Sequence, residues 1–158
     1  MRLAALTLLA LVLPATTVAG TKPATSGSLA VDHGRGVVVI KGKGALVGRI
    51  DKGSLQITDI TATDQWSPRV NGVPRGKVVW IRGHNIRFYV PGGRYQIIAR
   101  GEGISVSARG SGQATITGEP DTVGDTGVYS VGDEPQEPLP IESVRLSFGP
   151  TETSPSAP

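Results

Sequence analysis

Apolar and polar residues alternate over short stretches of this chain, and glycine or proline separates most stretches from the next. Alternation with a period of two is typical of half-buried β-strands, and no window carries the longer period of an amphipathic helix. The stretches recur roughly every 8–12 residues, which is the spacing of a β-sandwich or barrel. They predict strands at 29–32, 36–41, 45–50, 54–60, 77–82, 86–90, 95–100, 104–108, 114–117 and 144–148, with a weaker one at 128–131.

This pattern predicts an all-β fold, an antiparallel β-sandwich or flattened barrel with hairpin connections. A glycine-rich β-helix is the alternative, because the repeated Gly-x-Gly pairs could mark the corners of its coils. Two segments lack clear strands, namely 61–76 and the acidic stretch 119–140, and both are predicted to be long loops.

Two hairpins are predicted from local pattern. The first pairs Val90 with Tyr95 across a Pro-Gly turn with a bulge at Gly93, which brings the apolar positions of both strands to one face. The second joins 104–108 to 114–117 through a glycine-rich turn.

The two ends of the chain differ from its middle. Arg2 followed by a largely apolar stretch of eleven residues and then small residues predicts a signal peptide at 1–19, since a membrane span needs about 20 apolar residues. Residues 20–28 are predicted to be a flexible N-terminus, 29–148 a single all-β domain and 149–158 a disordered tail. We therefore expect a secreted, periplasmic or envelope protein without a transmembrane segment.

The amino-acid composition excludes some kinds of site and limits the residues that can form the core. The chain has no cysteine, which excludes disulfides, thiol catalysis and thiolate metal sites. Aromatic residues are only 4% of the chain, so its core must be built mostly from Val, Ile, Leu and Ala.

No catalytic motif emerges. There is no Gly-x-Ser-x-Gly elbow, and His33 and His84 are the only histidines. Asp32 and His33 are neighbours, which in a strand would point them to opposite faces and argues against an Asp–His relay. Asp121 and Asp125 lack the spacing of a calcium loop, so a solvated acidic loop is favoured over a cation site. We expect no cofactor and no metal.

Charge is divided sharply along the chain. Between residues 33 and 110 there are thirteen basic and four acidic residues, whereas 119–152 holds eight acidic residues and one basic. Either a basic sheet face binds a polyanion, or the acidic segment folds back and covers that face. The residues predicted to bind are Arg82, Arg87, Arg94, Arg100 and Trp66.

Trp80 lies in an apolar run and is predicted to pack in the core or between strands. The alternative is that Trp66, Trp80 or Tyr89 stacks on a sugar or base beside the arginines. Nucleic acid is not expected as a partner, since no recognition motif is present.

The segment Phe88-Tyr-Val-Pro-Gly-Gly-Arg-Tyr-Gln-Ile97, continued by the glycine-rich stretch 101–112, resembles small secreted β-rich proteins of actinobacteria that have no assigned function. This resemblance covers about a third of the chain and implies a β-rich fold. It implies no catalytic or binding residues.

The sequence thus predicts an exported, non-catalytic, envelope-associated binding or structural module, with an anionic cell-wall polymer or a protein as partner. One alternative is an enzyme that acts on envelope polysaccharide with carboxylates from distant strands. Another is an assembly partner that recruits another chain through an exposed edge strand.

Overall fold

The computed structural model describes residues 27–60 and 67–150, which form eight β-strands and no helix. The strands are β1 (Ser28–Asp59), β2 (Arg69–Val70), β3 (Val73–Pro74), β4 (Val78–Val90), β5 (Arg94–Gly118), β6 (Val128–Val131), β7 (Glu137–Pro138) and β8 (Val144–Phe148).

These strands form one antiparallel sheet. Its order is β3-β2-β4-β1-β5-β8, with β6 attached to β1 and β7 attached to β6. The prediction of an antiparallel all-β fold is confirmed, and the sheet does not close on itself. The β-helix alternative is wrong, because the coils of a β-helix pair in parallel and every pair of strands here is antiparallel.

The two longest strands, β1 and β5, pair with each other twice. In one register β1 residues 28–43 lie against β5 residues 94–109, and in the other β1 residues 36–59 lie against β5 residues 95–118. A strand can pair along only two edges. The double pairing of β1 with β5 is possible because both strands bend, so that the sheet folds into two layers. Both layers contribute side chains to one core.

We call the two halves layer A and layer B. Layer A contains β2, β3, β6, β7 and the segments 28–34, 45–50, 86–90 and 104–109. Layer B contains β8 and the segments 36–43, 52–59, 78–84, 94–101 and 111–118.

Glycine pairs mark the corners where strands pass from one layer to the other. Gly44 of β1 lies opposite Gly110 of β5, and both have positive φ, +133° and +135°. A Cβ on Gly44 would overlap the carbonyl oxygen of Arg109, and one on Gly110 would overlap that of Lys43. The glycines read as turns are therefore bends inside continuous strands.

Both predicted hairpins are wrong for this reason. Val90 pairs with Leu46 and Tyr95 pairs with Asp59, so β1 lies between β4 and β5. The segments 104–108 and 114–117 both belong to β5. The alternation of apolar residues identified these strands correctly, but it is the same for every candidate partner and therefore did not select the right one.

Inward positions of both layers form the core. The largest fully buried side chains include Tyr95, Phe148, Leu29, Ile40, Leu46, Ile50, Leu55 and Ile57. Trp80 is not among them: 76% of its surface is exposed, so the prediction of a core position is wrong. Its neighbour Val79 is buried, and alternation along β4 turns Trp80 outward.

The two predicted loops contain strands. An Asn71-Gly72 turn joins β2 to β3 within 61–76, and β6 and β7 lie in the acidic segment. The predicted signal peptide, Trp66 and residues 151–158 of the predicted tail lie outside the described residues.

Candidate functional site: a basic face with an exposed tryptophan

The outer surface of layer B carries side chains in register across up to six strand segments. Its central row runs Trp80, Gln56, Ile98, Val39, Thr115, Arg145. The row on one side runs Arg82, Ser54, Arg100, Val37, Thr117, and the row on the other runs Val78, Thr58, Gln96, Lys41, Gln113, Ser147. A last, shorter row holds Arg94, Lys43 and Ser111. We call this surface, defined by these four rows, the basic face.

The charge on the basic face has one sign. None of the side chains in its four rows is acidic, and six are basic, namely Lys41, Lys43, Arg82, Arg94, Arg100 and Arg145. Arg82 and Arg100 flank Ser54 on two neighbouring strands, so their Cα atoms are about 10 Å apart at the usual strand spacing. Neither guanidinium forms an ion pair or hydrogen bond with another residue that the structure describes.

Trp80 is the aromatic element of this face. It lies directly opposite Gln56 and two positions along β4 from Arg82, so indole, amide and guanidinium all point to the same side. Half-buried Ile98 and Val39 continue the same row. An exposed indole beside hydrogen-bonding amides offers a flat apolar contact with polar groups around it, as ligand sites with stacked rings require.

The structure separates the residues predicted to bind. Arg82 and Arg100 lie together on the basic face, and Arg94 lies at its end next to Lys43. Arg87 lies on the outer surface of layer A, opposite Arg49. Alternation along the strands predicted correctly that these side chains point outward. The prediction that they share one face depended on the hairpin of Val90 and Tyr95, which does not form.

The part of the acidic segment that the structure describes, residues 119–150, does not lie across the basic face. Its strand β8 pairs with β5 and extends that face at its edge, where it contributes Arg145. Its strand β6 pairs with β1 and extends layer A. The loops before β6 and after β7 pack together, where Thr126 and Leu139 are buried and the Thr126 hydroxyl donates a hydrogen bond of 2.8 Å to the Leu139 carbonyl.

Asp32 and His33 do meet, contrary to expectation. His33 has a positive φ of 50°, which breaks the alternation and brings its Nδ1 to 3.1 Å from the Asp32 carboxylate. The Ser105 hydroxyl donates to the same carboxylate at 2.9 Å and lowers the pKa of Asp32, with His33 adding to this effect. The carboxylate therefore sits between hydroxyl and imidazole, whereas nucleophilic catalysis needs the imidazole in the middle.

The carboxylates of the acidic loop accept hydrogen bonds from the backbone of the loop itself. Asp121 accepts hydrogen bonds from the backbone N–H groups of Asp125 and Val123, and these lower its pKa. Asp125 accepts one from Gly127 at 2.8 Å. Both carboxylates thus hold the loop in shape, as Asx turns do.

Paired carboxylates are missing from the two grooves nearest these features. The groove on layer A is lined by one acidic residue, Asp32, and the groove at the end of the basic face, beside Tyr95, by none. Residues 27–60 and 67–150 contain no cluster of three or more side chains suited to hold a metal ion. The same ranges contain no helix long and apolar enough to cross a membrane.

Comparison with known protein families, with characterised proteins and with solved structures found no match for this chain.

Proposed function

We propose that this chain is an exported, non-catalytic binding module that holds a linear anionic polysaccharide of the cell envelope on its basic face. The observation that carries the proposal is the juxtaposition of Trp80 with Arg82 and Arg100 on a surface whose rows contain no acidic side chain. Trp80 provides a face on which a sugar ring stacks, and the two arginines pair with the polymer's anionic groups.

The extent of the site supports a polymer over a small molecule. The basic face spans up to six strand segments, each about 4.8 Å from the next, so a linear chain contacts many side chains at once. Gln56, Gln96 and Gln113 offer both donors and acceptors, which suits the hydroxyl groups of sugars. Several weak contacts then add up along the chain.

The test is a binding titration of polygalacturonate against the chain from Gly20 onward, which keeps every described residue, over a range of salt concentrations. Binding is expected to weaken steeply with salt, because the polymer releases counterions when arginines neutralise it. Trp80→Ala should cost about 1–2 kcal/mol, or roughly tenfold in affinity. The double variant Arg82→Gln/Arg100→Gln should weaken binding and flatten its salt dependence.

A matched control is Arg109→Gln, because Arg109 is an exposed arginine of the other layer. It should leave binding unchanged. Neutral dextran should not bind, and poly(glycerol phosphate) tests whether the sugar ring is needed besides the charge. Full affinity of the triple variant of Trp80, Arg82 and Arg100 would disprove the proposal.

A second candidate, strand addition, is favoured by the edge of the same layer. Residues 78–84 of β4 pair only with β1 among the described residues, and Val78 and Trp80 on this edge are 68% and 76% exposed. Such an edge accepts an extended segment of another chain. Light scattering that detects a dimer, together with its loss in Val78→Lys, would favour this function over polysaccharide binding.

A further inference from the structure

On the opposite side of the molecule the outer surface of layer A contains a groove of about 630 Å³. Val47 and Tyr89 form its apolar floor and remain 53% and 44% exposed. Three arginines, Arg49, Arg69 and Arg87, line it. We call it the anion groove, and it shares no residue with the basic face.

The arginines of the anion groove lie close enough to repel one another when no anion is bound. Arg49 and Arg87 are directly opposite each other on neighbouring strands, a position in which like charges repel. Arg69 is opposite Tyr89 and thus diagonal to Arg87 on the next strand. A bound anion between the guanidiniums would turn this repulsion into attraction.

The acidic residues nearby neutralise this charge only in part. The Asp51 carboxylate is 3.9 Å from Nε of Arg49, at the outer limit of an ion pair. Asp32 lines the groove, but its carboxylate already accepts a hydrogen bond from the hydroxyl of Ser105, the residue opposite Arg49. The guanidiniums of Arg69 and Arg87 have no hydrogen-bond or ion-pair partner within the described ranges.

The wall of the groove is fixed in place by the β2–β3 hairpin. Its Asn71 donates its N–H to the Arg87 carbonyl at 2.8 Å and accepts the Arg87 N–H on its side-chain oxygen at 2.9 Å. These two bonds hold Arg69 beside Tyr89 before any ligand arrives. A preformed site loses less entropy on binding than a flexible one.

We propose that the anion groove binds a small amphipathic anion, with its phosphate or carboxylate between Arg49 and Arg87 and its apolar body on Val47 and Tyr89. A bare inorganic ion would engage the arginines but leave the floor in water. An organic anion covers both, which makes the floor part of the recognition.

The test uses calorimetry and ligand-induced thermal stabilisation of the chain from Gly20 onward with four probes: hexyl phosphate, hexanoate, hexanol and inorganic phosphate. Hexyl phosphate or hexanoate is expected to bind at least about tenfold more tightly than inorganic phosphate, and hexanol should not bind. Comparison of the two organic anions tells phosphate from carboxylate as the preferred head group.

Variants assign the contacts. Arg49→Gln and Arg87→Gln should each lower affinity for the organic anion about tenfold, since each removes a hydrogen bond to a charged group. Tyr89→Ser should weaken the organic anion while leaving inorganic phosphate unchanged. Without ligand, Arg87→Gln should melt at the same or a higher temperature, because it relieves the repulsion, so a loss of binding is not a loss of folding.

Arg82→Gln/Arg100→Gln is the matched control, because both residues lie on the basic face. It should leave hexyl phosphate binding intact even if polysaccharide binding is lost, which keeps the two proposals separable. Equal binding of hexanol and hexyl phosphate, unchanged affinity in Arg49→Gln/Arg87→Gln, or no binding of either organic anion would overturn the inference.

Discussion

Gly44 and Gly110 face each other across β1 and β5, at a corner where a Cβ on either residue would run into the carbonyl oxygen of the other strand. The bend at this point lets β1 leave layer B and enter layer A. The two-layer arrangement therefore depends on the absence of side chains at a few strand positions.

Replacing Gly44 with alanine should destabilise the fold strongly. The new methyl group overlaps the Arg109 carbonyl, and φ of +133° is unfavourable for any residue with a Cβ. We expect a loss of more than about 2 kcal/mol in the free energy of unfolding, measured with urea. Gly83→Ala is the control, because a Cβ there meets nothing within 4 Å. Equal stability of both variants would contradict the role given to the corner.

Tyr95 carries a buried hydroxyl that has no hydrogen-bond partner among the described residues. Tyr95→Phe should therefore fold at least as stably as the parent, with a gain of up to about 1 kcal/mol, because an unsatisfied polar group is removed. Thermal melting at neutral pH measures this. A clear loss of stability would show that the hydroxyl has a partner after all.

The stability of the protein at alkaline pH should depend on the same residue. Burial raises the pKa of Tyr95 from its ordinary value of 10.0 to about 12, so the folded protein holds the phenol proton more tightly than the unfolded chain. Stability from this group is present below pH 10 and falls as the pH rises from 10 to 12. Comparing urea unfolding of parent and Tyr95→Phe across this range isolates the effect, because the two proteins share every other titratable group.

Ser105→Ala should raise the pKa of Asp32, because the Ser105 hydroxyl is the largest cause of its lowering. A lowered carboxyl pKa contributes stability above its unfolded value that is lost as the pH falls through the folded value, and the variant should lose part of it. Carboxyl-carbon NMR titration measures the shift. Ser107→Ala, an exposed serine two positions along β5, should leave the titration unchanged.

Asn71 is expected to stabilise the β2–β3 hairpin through the hydrogen bond of its side chain and through its positive φ. Asn71→Gly keeps the positive φ of 51° but loses the acceptor for the Arg87 N–H, whereas Asn71→Ala loses both. Faster hydrogen exchange at the Arg87 amide should appear in both variants. The alanine variant should also lose about 1 kcal/mol of stability relative to the glycine variant.

Sequence pattern predicted the strands well and their partners poorly. Alternation identified the inward residues of 86–90 and 95–99, but Val90 and Tyr95 fit any neighbour with the same pattern, and both found theirs on β1. The Asn71-Gly72 turn was readable, since this dipeptide between apolar residues favours a tight hairpin. The prediction of a continuous loop over 61–76 did not include this turn.

The candidate surfaces were predictable only in part. The alternation along the strands predicts that Arg82, Arg87 and Arg100 point outward, and all three are exposed. Their division between two opposite surfaces depends on corners that no local pattern reveals. The pairing of Arg49 with Arg87 joins positions almost forty residues apart, which short-range periodicity does not report.

Because β1 and β5 run through both layers, neither layer exists until residues that are distant along the chain have paired. Ser28 pairs with Arg109, while Ala45 pairs with that same arginine from its other side. Pairings so distant along the chain are slow to find. We expect this protein to fold slowly for its size and in one step, and a chain cut within β1 or β5 to retain neither the basic face nor the anion groove.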